Sequence, residues 1–189
     1  MTHHSLARAA LAALLATTAS AALAQTAAPA SPDVAAATHI ERIRTLDDAG
    51  PQLNAVIVYD AAAAAKAKAA KGALQGRTVL VKDNVETAEW PTTVGSLALK
   101  DNATGRDAPL VANLRRAGGV VLGKTNLSEW ANIRSSDSTS GWSAVGGLTK
   151  NPHAIDRNAC GSSSGSGAAI AAGLAWAAIG TETNGSITC

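Results

Sequence analysis

The chain reads as an α/β domain in which a largely buried sheet is covered by helices. Three observations predict this. Thr78-Val-Leu-Val81 and Val120-Val-Leu122 are continuous β-branched and leucine runs, the pattern of strands buried on both faces. Such runs alternate with helical segments along the chain, which favours a sheet with helices packed on it. The core must also be built from small side chains. Phe is absent and aromatic residues make up only 3% of the chain, so Ala, Val, Leu and Ile carry the burial, at about 25 cal/mol per Å² of apolar surface.

The first 24 residues stand apart from that domain. His3, His4 and Arg8 make a polar, weakly cationic start, Ala9–Ala16 is apolar, and small residues lead to Ala22-Leu23-Ala24. A short apolar core before an A-x-A site is the pattern of a cleaved secretory signal. The alternative is a membrane anchor. A spanning helix needs about 20 mostly apolar residues, and Thr17, Thr18 and Ser20 interrupt this run. Export is the expectation, to the periplasm or outside the cell, with no stable membrane association after cleavage. Residues 25–37, rich in Ala, Pro and Ser, read as a disordered leader.

The domain itself is expected over 38–189. Ile40, Ile43 and Leu46 recur at helical spacing before Gly50-Pro51, which predicts a helix over Thr38–Ala49. Ala55–Tyr59 is a short strand, and Asp60 can cap the Ala/Lys helix that ends near Lys71-Gly72. The strand Thr78–Val81 delivers Lys82 at its C-terminal end. Further on, a helix is predicted over Asp107–Ala117, closed by Gly118-Gly119, then a buried strand over Val120–Leu122 and a short helix over Asn126–Asn132. Ser135–Gly147 is polar and reads as a loop around Trp142. Ser164–Ala172 reads as a helix ending at Gly173, and Ala177–Gly180 as a strand.

Charge excludes two classes of partner. Removing Arg8 with the signal leaves 15 basic against 14 acidic residues, a net charge of +1. That is no footprint for nucleic acid and no polybasic patch for a membrane surface. Nothing in the composition assigns an oligomeric state. The two cysteines, Cys160 and Cys189, exclude a disulfide-rich scaffold and a multi-cysteine metal site. An exported protein can oxidise them to a disulfide, and two buried free thiols are the other reading.

Gly118-Gly-Val-Val-Leu-Gly-Lys-Thr125 matches the G-x-x-x-x-G-K-[ST] pattern of a phosphate-binding loop. A phosphate loop must follow a strand and open a helix, with its amides free to face the phosphates. Here the preceding segment is helical, and Val120, Val121 and Leu122 call for a strand interior. The segment therefore reads as a helix stop, a core strand and a turn at Gly123-Lys124.

Chemistry concentrates in two Gly/Ser-rich turns and one lysine. Thr183-Asn-Gly-Ser186 follows a strand, and small residues there can turn successive backbone N–H groups inward to form a nest for negative charge. Ser162 lies in Gly161-Ser-Ser-Ser-Gly-Ser-Gly167 just before a helix, a run that equally fits a helix N-cap. Lys82 directly follows a buried run. A lysine so placed is either salt-bridged or snorkelling, or it is a base whose pKa burial has brought down from about 10.4.

Together these motifs resemble the amidase signature family. A strand-end lysine in Val79-Leu-Val-Lys-Asp-Asn84 precedes the Ser162 turn, and Ser186 follows Ser162 by 24 residues in Gly180-Thr-Glu-Thr-Asn-Gly-Ser186. Gly123-Lys-Thr-Asn-Leu-Ser-Glu-Trp130 and Asn151-Pro152 look like further family segments, and the bacterial peptide amidases carry the most similar variants. Asn184 departs from the family's usual Gly or Asp, and the stretch before the lysine strand lacks the common G-I-P approach. Neither removes a catalytic group.

The resemblance implies an incomplete amidase signature fold with a mixed sheet, of which 38–189 is the N-terminal part. It implies hydrolysis of a small-molecule amide or peptide amide, without metal or cofactor, by a Ser–Ser–Lys triad. Lys82 would be the base, Ser162 the relay after a cis peptide bond, and Ser186 the nucleophile. Backbone N–H groups of Thr183, Asn184, Gly185 and Ser186 would hold the oxyanion. Two rivals remain: an amidotransferase component that supplies ammonia, against which the export signal argues, and a non-catalytic binding module.

Overall fold

A computed structural model describes residues 30–189, and the compact unit in it is Ser31–Cys189. Its centre is a four-stranded sheet in the order β1-β3-β2-β8, made of β1 (Val56–Tyr59), β2 (Thr78–Lys82), β3 (Val120–Thr125) and β8 (Ala177–Ile179). β2 runs parallel to both β3 and β8, and β1 runs antiparallel to β3. The sheet is therefore mixed.

Alternation along the strands sorts the core onto two faces. Leu80, Val120 and Leu122 pack with Ala36 and Ile40 of α1 (Pro32–Arg42), Ala63 and Ala67 of α2 (Ala63–Ala69), and Ala168 and Ala169 of α4 (Ser164–Ala171). On the opposite face Val81 and Val121 pack with Val111 of α3 (Pro109–Arg116), with Leu114 and Trp90 beside them. Every residue of β2 and β3 is buried, as their unbroken apolar runs predict. Alanine dominates the helix side. Small side chains fill most of the space between these helices and the sheet, with Tyr59 partly buried beside them.

Four features differ from the sequence expectation. α1 starts at Pro32 rather than Thr38, taking in the part of the leader over 32–37. Pro at its first turn and Asp33 beside it are strong start signals, and Ala36 is fully buried. The helix then loosens into a π-helical turn, Ile43–Asp47. The signal over 1–24 and leader residues 25–29 lie outside the described residues. Among those that are described, no helix is long and apolar enough to cross a membrane.

Second, there is no turn at Gly123-Lys124, because β3 continues to Thr125. Its register against β2 slips between Val79 and Leu80, leaving Leu122 bulged. A Cβ on Gly123 would stand 2.1 Å from the Val58 carbonyl of β1. The glycine is there for close strand approach, not for a phosphate.

Third, Asn126–Asn132 is not a helix. Only Glu129–Asn132 forms a short 3-10 turn, and Trp130, Ala131 and Asn132 all have positive φ, at 52°, 55° and 67°. Asn126 has committed its side chain elsewhere. Its amide donates to Asn54 O, Gly147 O and Thr149 Oγ1, and its carbonyl accepts from Leu127 N–H and Ser143 Oγ–H. Such competition for backbone groups disfavours a helix.

Fourth, the loop over 135–147 carries β4 (Trp142–Ser143), which pairs with β5 (Gly147–Leu148). A hairpin of β6 (Lys150–Asn151) and β7 (Ala154–Asn158) follows. Asn151 Oδ1 accepts from His153 N–H across Pro152, which closes that hairpin turn.

Candidate active site

Because β2, β3 and β8 are parallel, their C-terminal ends open on one edge of the sheet, where α/β folds commonly place their sites. Lys82 ends β2 there. The segment after β8 passes beside it, and the turn leading into α4 packs between them.

Lys82 has no solvent exposure. Its Nζ lies 2.9 Å from Ser162 Oγ, 3.0 Å from Ser163 Oγ, 3.0 Å from Thr181 Oγ1 and 3.1 Å from Thr181 O. All four neighbours are neutral oxygens. Burial without a countercharge pushes the ammonium pKa down to about 8. An ammonium has only three protons for these four oxygens, whereas a neutral amine can donate two and accept one. Ser163 Oγ–H is committed to Thr181 O at 3.0 Å, and Asn84 Nδ2–H donates to Thr181 Oγ1 at 2.9 Å. Ser162 and Thr181 are the hydroxyls around Lys82 whose protons are left with a choice of partner.

Ser162 Oγ stands 2.9 Å from Ser186 Oγ, so lysine and two serines form one contiguous chain. Both links fall inside the 2.6–3.2 Å reach of direct proton transfer. The Gly161–Ser162 peptide is cis. Ser162 O accepts from Ser128 N–H at 3.1 Å, and Ser163 N–H donates to Ser186 O at 2.9 Å, which ties the two serine turns by their backbones as well. Cys160 and Cys189 are joined in a disulfide with Cα atoms 6.0 Å apart. Of the two readings open for these thiols, the bonded one holds.

The turn at 183–186 places the expected oxyanion donors unevenly. Gly185 sits at φ 76°, where glycine is favoured, and its N–H donates to Glu182 Oε1 at 2.8 Å. That amide is occupied. Among the described residues, none accepts from the amides of Thr183, Asn184 or Ser186, so three of the four expected donors are open. Backbone N–H groups of Thr188, Ile187 and Gly185 hold the Glu182 carboxyl below the ordinary glutamate range.

A second buried lysine stands beside the first. Lys124 Nζ lies 2.9 Å from Asp83 Oδ1, and both side chains are essentially without exposure. Asp83 Oδ2 accepts from Thr93 N–H at 3.1 Å and from the Thr93 hydroxyl. Lys124 also donates to Thr92 Oγ1 and Pro91 O.

Sequence reasoning missed Ser163, Thr181, Asn84 and Ser128 as the frame of the site. Three consecutive serines offer no signal as to which one faces the lysine, and Thr181 acts partly through its backbone. Among the described residues no group of three or more His, Cys, Asp or Glu is placed to hold a metal ion. A separate cavity of about 530 Å³, walled by Glu129, Trp130, Arg134 and Trp142, includes none of the lysine and serine chain.

Known proteins similar to this chain agree with one another. The family model described as Amidase matches residues 35–189. A probable amidase of Arabidopsis thaliana is 48% identical over 115 residues, covering 60% of this chain and 22% of the relative. A glutamyl-tRNA(Gln) amidotransferase chain of Pseudomonas aeruginosa is 44% identical over 159 residues, covering 79% and 31%. The solved native peptide amidase of Stenotrophomonas maltophilia superposes with a TM-score of 0.81 at 49% identity, covering 85% of this chain and 34% of that one. The chain thus spans between 22% and 34% of the length of these relatives.

Proposed function

The chain belongs to the amidase family, and on that premise we propose that the whole protein cleaves the C–N bond of a carboxamide through an acyl-enzyme on Ser186. The observation that carries this reading is the continuous Lys82–Ser162–Ser186 chain, at 2.9 Å per link, ending on a lysine whose pKa is pushed down to about 8.

Neutral Lys82 takes the Ser162 proton while Ser162 takes that of Ser186. The Ser186 oxygen attacks the amide carbonyl, and the oxyanion is held by the N–H groups of Thr183, Asn184 and Ser186. Each such donor supplies about 10²–10³ in rate. The tetrahedral carbon then expels nitrogen, which receives its proton from Ser162 as Lys82 returns one to Ser162. Ammonia or an amine leaves. Water deprotonated along the same chain attacks the ester, frees the acid and restores Ser186.

The substrate class we assign is a small-molecule amide or a peptide amide, in keeping with the peptide amidase neighbours. The location we assign is the periplasm or the exterior, on the strength of the signal pattern over 1–24. The amidotransferase relatives make an ammonia-supplying component of such an enzyme the second reading, and an export signal is at odds with a role in translation.

The test is to quench the full-length protein during turnover of a peptide amide and map the acyl adduct by mass spectrometry. An adduct on Ser186 together with ammonia release is expected. Turnover with the adduct on another residue, or with none under conditions that accumulate acyl-enzyme, contradicts the mechanism.

A further inference from the structure

The chain holds a single Asn-Gly pair, Asn184-Gly185, and it stands directly before Ser186. Asn184 is exposed. Every other asparagine has its side chain in a hydrogen bond, and among the described residues Asn184 alone makes none. An asparagine so placed is open to attack by its own backbone. Its side-chain carbonyl carbon and the next backbone nitrogen can close a five-membered ring, and a glycine at that nitrogen puts no side chain in the way. Gly185 is uncrowded as well: a Cβ built on it would meet nothing within 4 Å, and its φ is 76°. Its N–H faces Glu182 Oε1 at 2.8 Å, a carboxylate able to receive the proton.

We propose that Asn184-Gly185 is a site of spontaneous deamidation whose product disables the nucleophile turn. The Gly185 nitrogen bonds to Asn184 Cγ and the Cγ–Nδ2 bond breaks. The proton given up by Gly185 is matched by one gained by Nδ2, which leaves as ammonia. Water then opens the succinimide at either carbonyl. One opening restores the main chain with Asp at 184, a new negative charge beside the amides of Thr183 and Ser186. The other gives isoaspartate, in which the main chain runs through the former side chain and is one carbon longer, about 1.5 Å. Ser186 follows two residues on, with its hydroxyl 2.9 Å from Ser162 Oγ. A misplacement of about 1 Å costs on the order of 100-fold in rate. That the product is inactive rests on the amidase reading above; the deamidation itself does not.

The experiment incubates the full-length protein at mildly alkaline pH, which favours loss of the Gly185 proton, and samples it over days. Peptide mapping should show the peptide containing Asn184 changing mass by one amide-to-acid exchange, faster as pH rises, with isoaspartate detected by enzymatic methylation. Turnover should fall in proportion to the isoaspartate formed, because a molecule so modified keeps on the order of 1% of its kcat. Asn184→Gln must close a larger, less well placed ring. It should react about 100-fold more slowly and hold its own starting activity over the same period.

Asn184 intact after incubation overturns the proposal. So does isoaspartate at 184 with the parental kcat, or a decay of activity as fast in Asn184→Gln as in the parent. If Ser186→Ala keeps turnover, the amidase reading through Ser186 is what has failed, and the mass change at Asn184 is still expected.

Discussion

Lys82 and Lys124 occupy adjoining positions on neighbouring parallel strands, where Val81 pairs with Lys124 and Lys82 with Thr125, and neither is exposed to solvent. Their company separates them. Lys124 meets the Asp83 carboxylate at 2.9 Å, whereas Lys82 meets only hydroxyls and a carbonyl. A buried cation with a carboxylate is an ion pair, which holds two strand ends and the segment around Thr93 together. A buried cation without one is pushed towards the neutral amine, and a neutral amine is a base. Under the proposed mechanism one lysine serves structure and the other chemistry, on neighbouring strands of one sheet.

Removing the chemistry should have the largest effect. Lys82→Met and Ser186→Ala should each lower ammonia release by the full-length protein about 10⁴-fold or more, and the double variant little further, since groups acting as a unit are not additive. Melting temperatures should barely fall. If Lys82→Met unfolds the protein as readily as a change at Lys124, the contrast between the two lysines collapses.

Breaking the structural pair should be felt in stability. Lys124→Met leaves the buried Asp83 carboxylate unpaired and should cost about 3–5 kcal/mol, whereas Lys124→Met combined with Asp83→Leu should recover much of it. Denaturant unfolding measures both. A Lys124→Met protein as stable as the parent would mean that the pair does not hold the strand ends together, and the contrast between the lysines would need another cause.

The Cys160–Cys189 bond joins the two serine turns at the Lys82 end, and nothing like it braces Lys124. Its reduction should cost about 3.6 kcal/mol of stability for a loop of this length. Thiol labelling after denaturation without reductant should find no alkylated cysteine; two alkylated cysteines would show that the bond does not form.

The pH profile should carry the smallest effect. Below its pKa of about 8 Lys82 is an ammonium and cannot accept a proton, so kcat/KM should rise with pH and level off above that value. The gain from pH 7 to the plateau is about tenfold. Lys124→Met combined with Asp83→Leu should leave this limb in place.

Much of this arrangement was legible in the sequence, for identifiable reasons. Thr78–Val81 and Val120–Leu122 announce themselves as buried strands because nothing polar interrupts them, and Lys82 is conspicuous for following one. The phosphate-loop pattern at Gly118–Thr125 could be set aside on the same ground, but Gly123 and Lys124 lie inside the strand rather than in the turn expected there. The left-handed run at Trp130–Asn132 was not legible, because the segment is held by long-range bonds such as Trp130 N–H to Val94 O that local composition does not encode. The partner of Lys124 was hidden in the same way. Asp83 is adjacent to Lys82 in sequence, and only the pairing of β2 with β3 brings it to Lys124. The backbone partners of Glu182 were not legible either, since they depend on a fold that local composition does not encode.

The most direct measurement is the titration of Lys82 itself. In full-length protein with lysines labelled at Cε, the Lys82 resonance, assigned by its loss in Lys82→Met, should titrate with a midpoint near 8. A midpoint at the ordinary lysine value of about 10.4 would mean that Lys82 is an ammonium at working pH and cannot be the base.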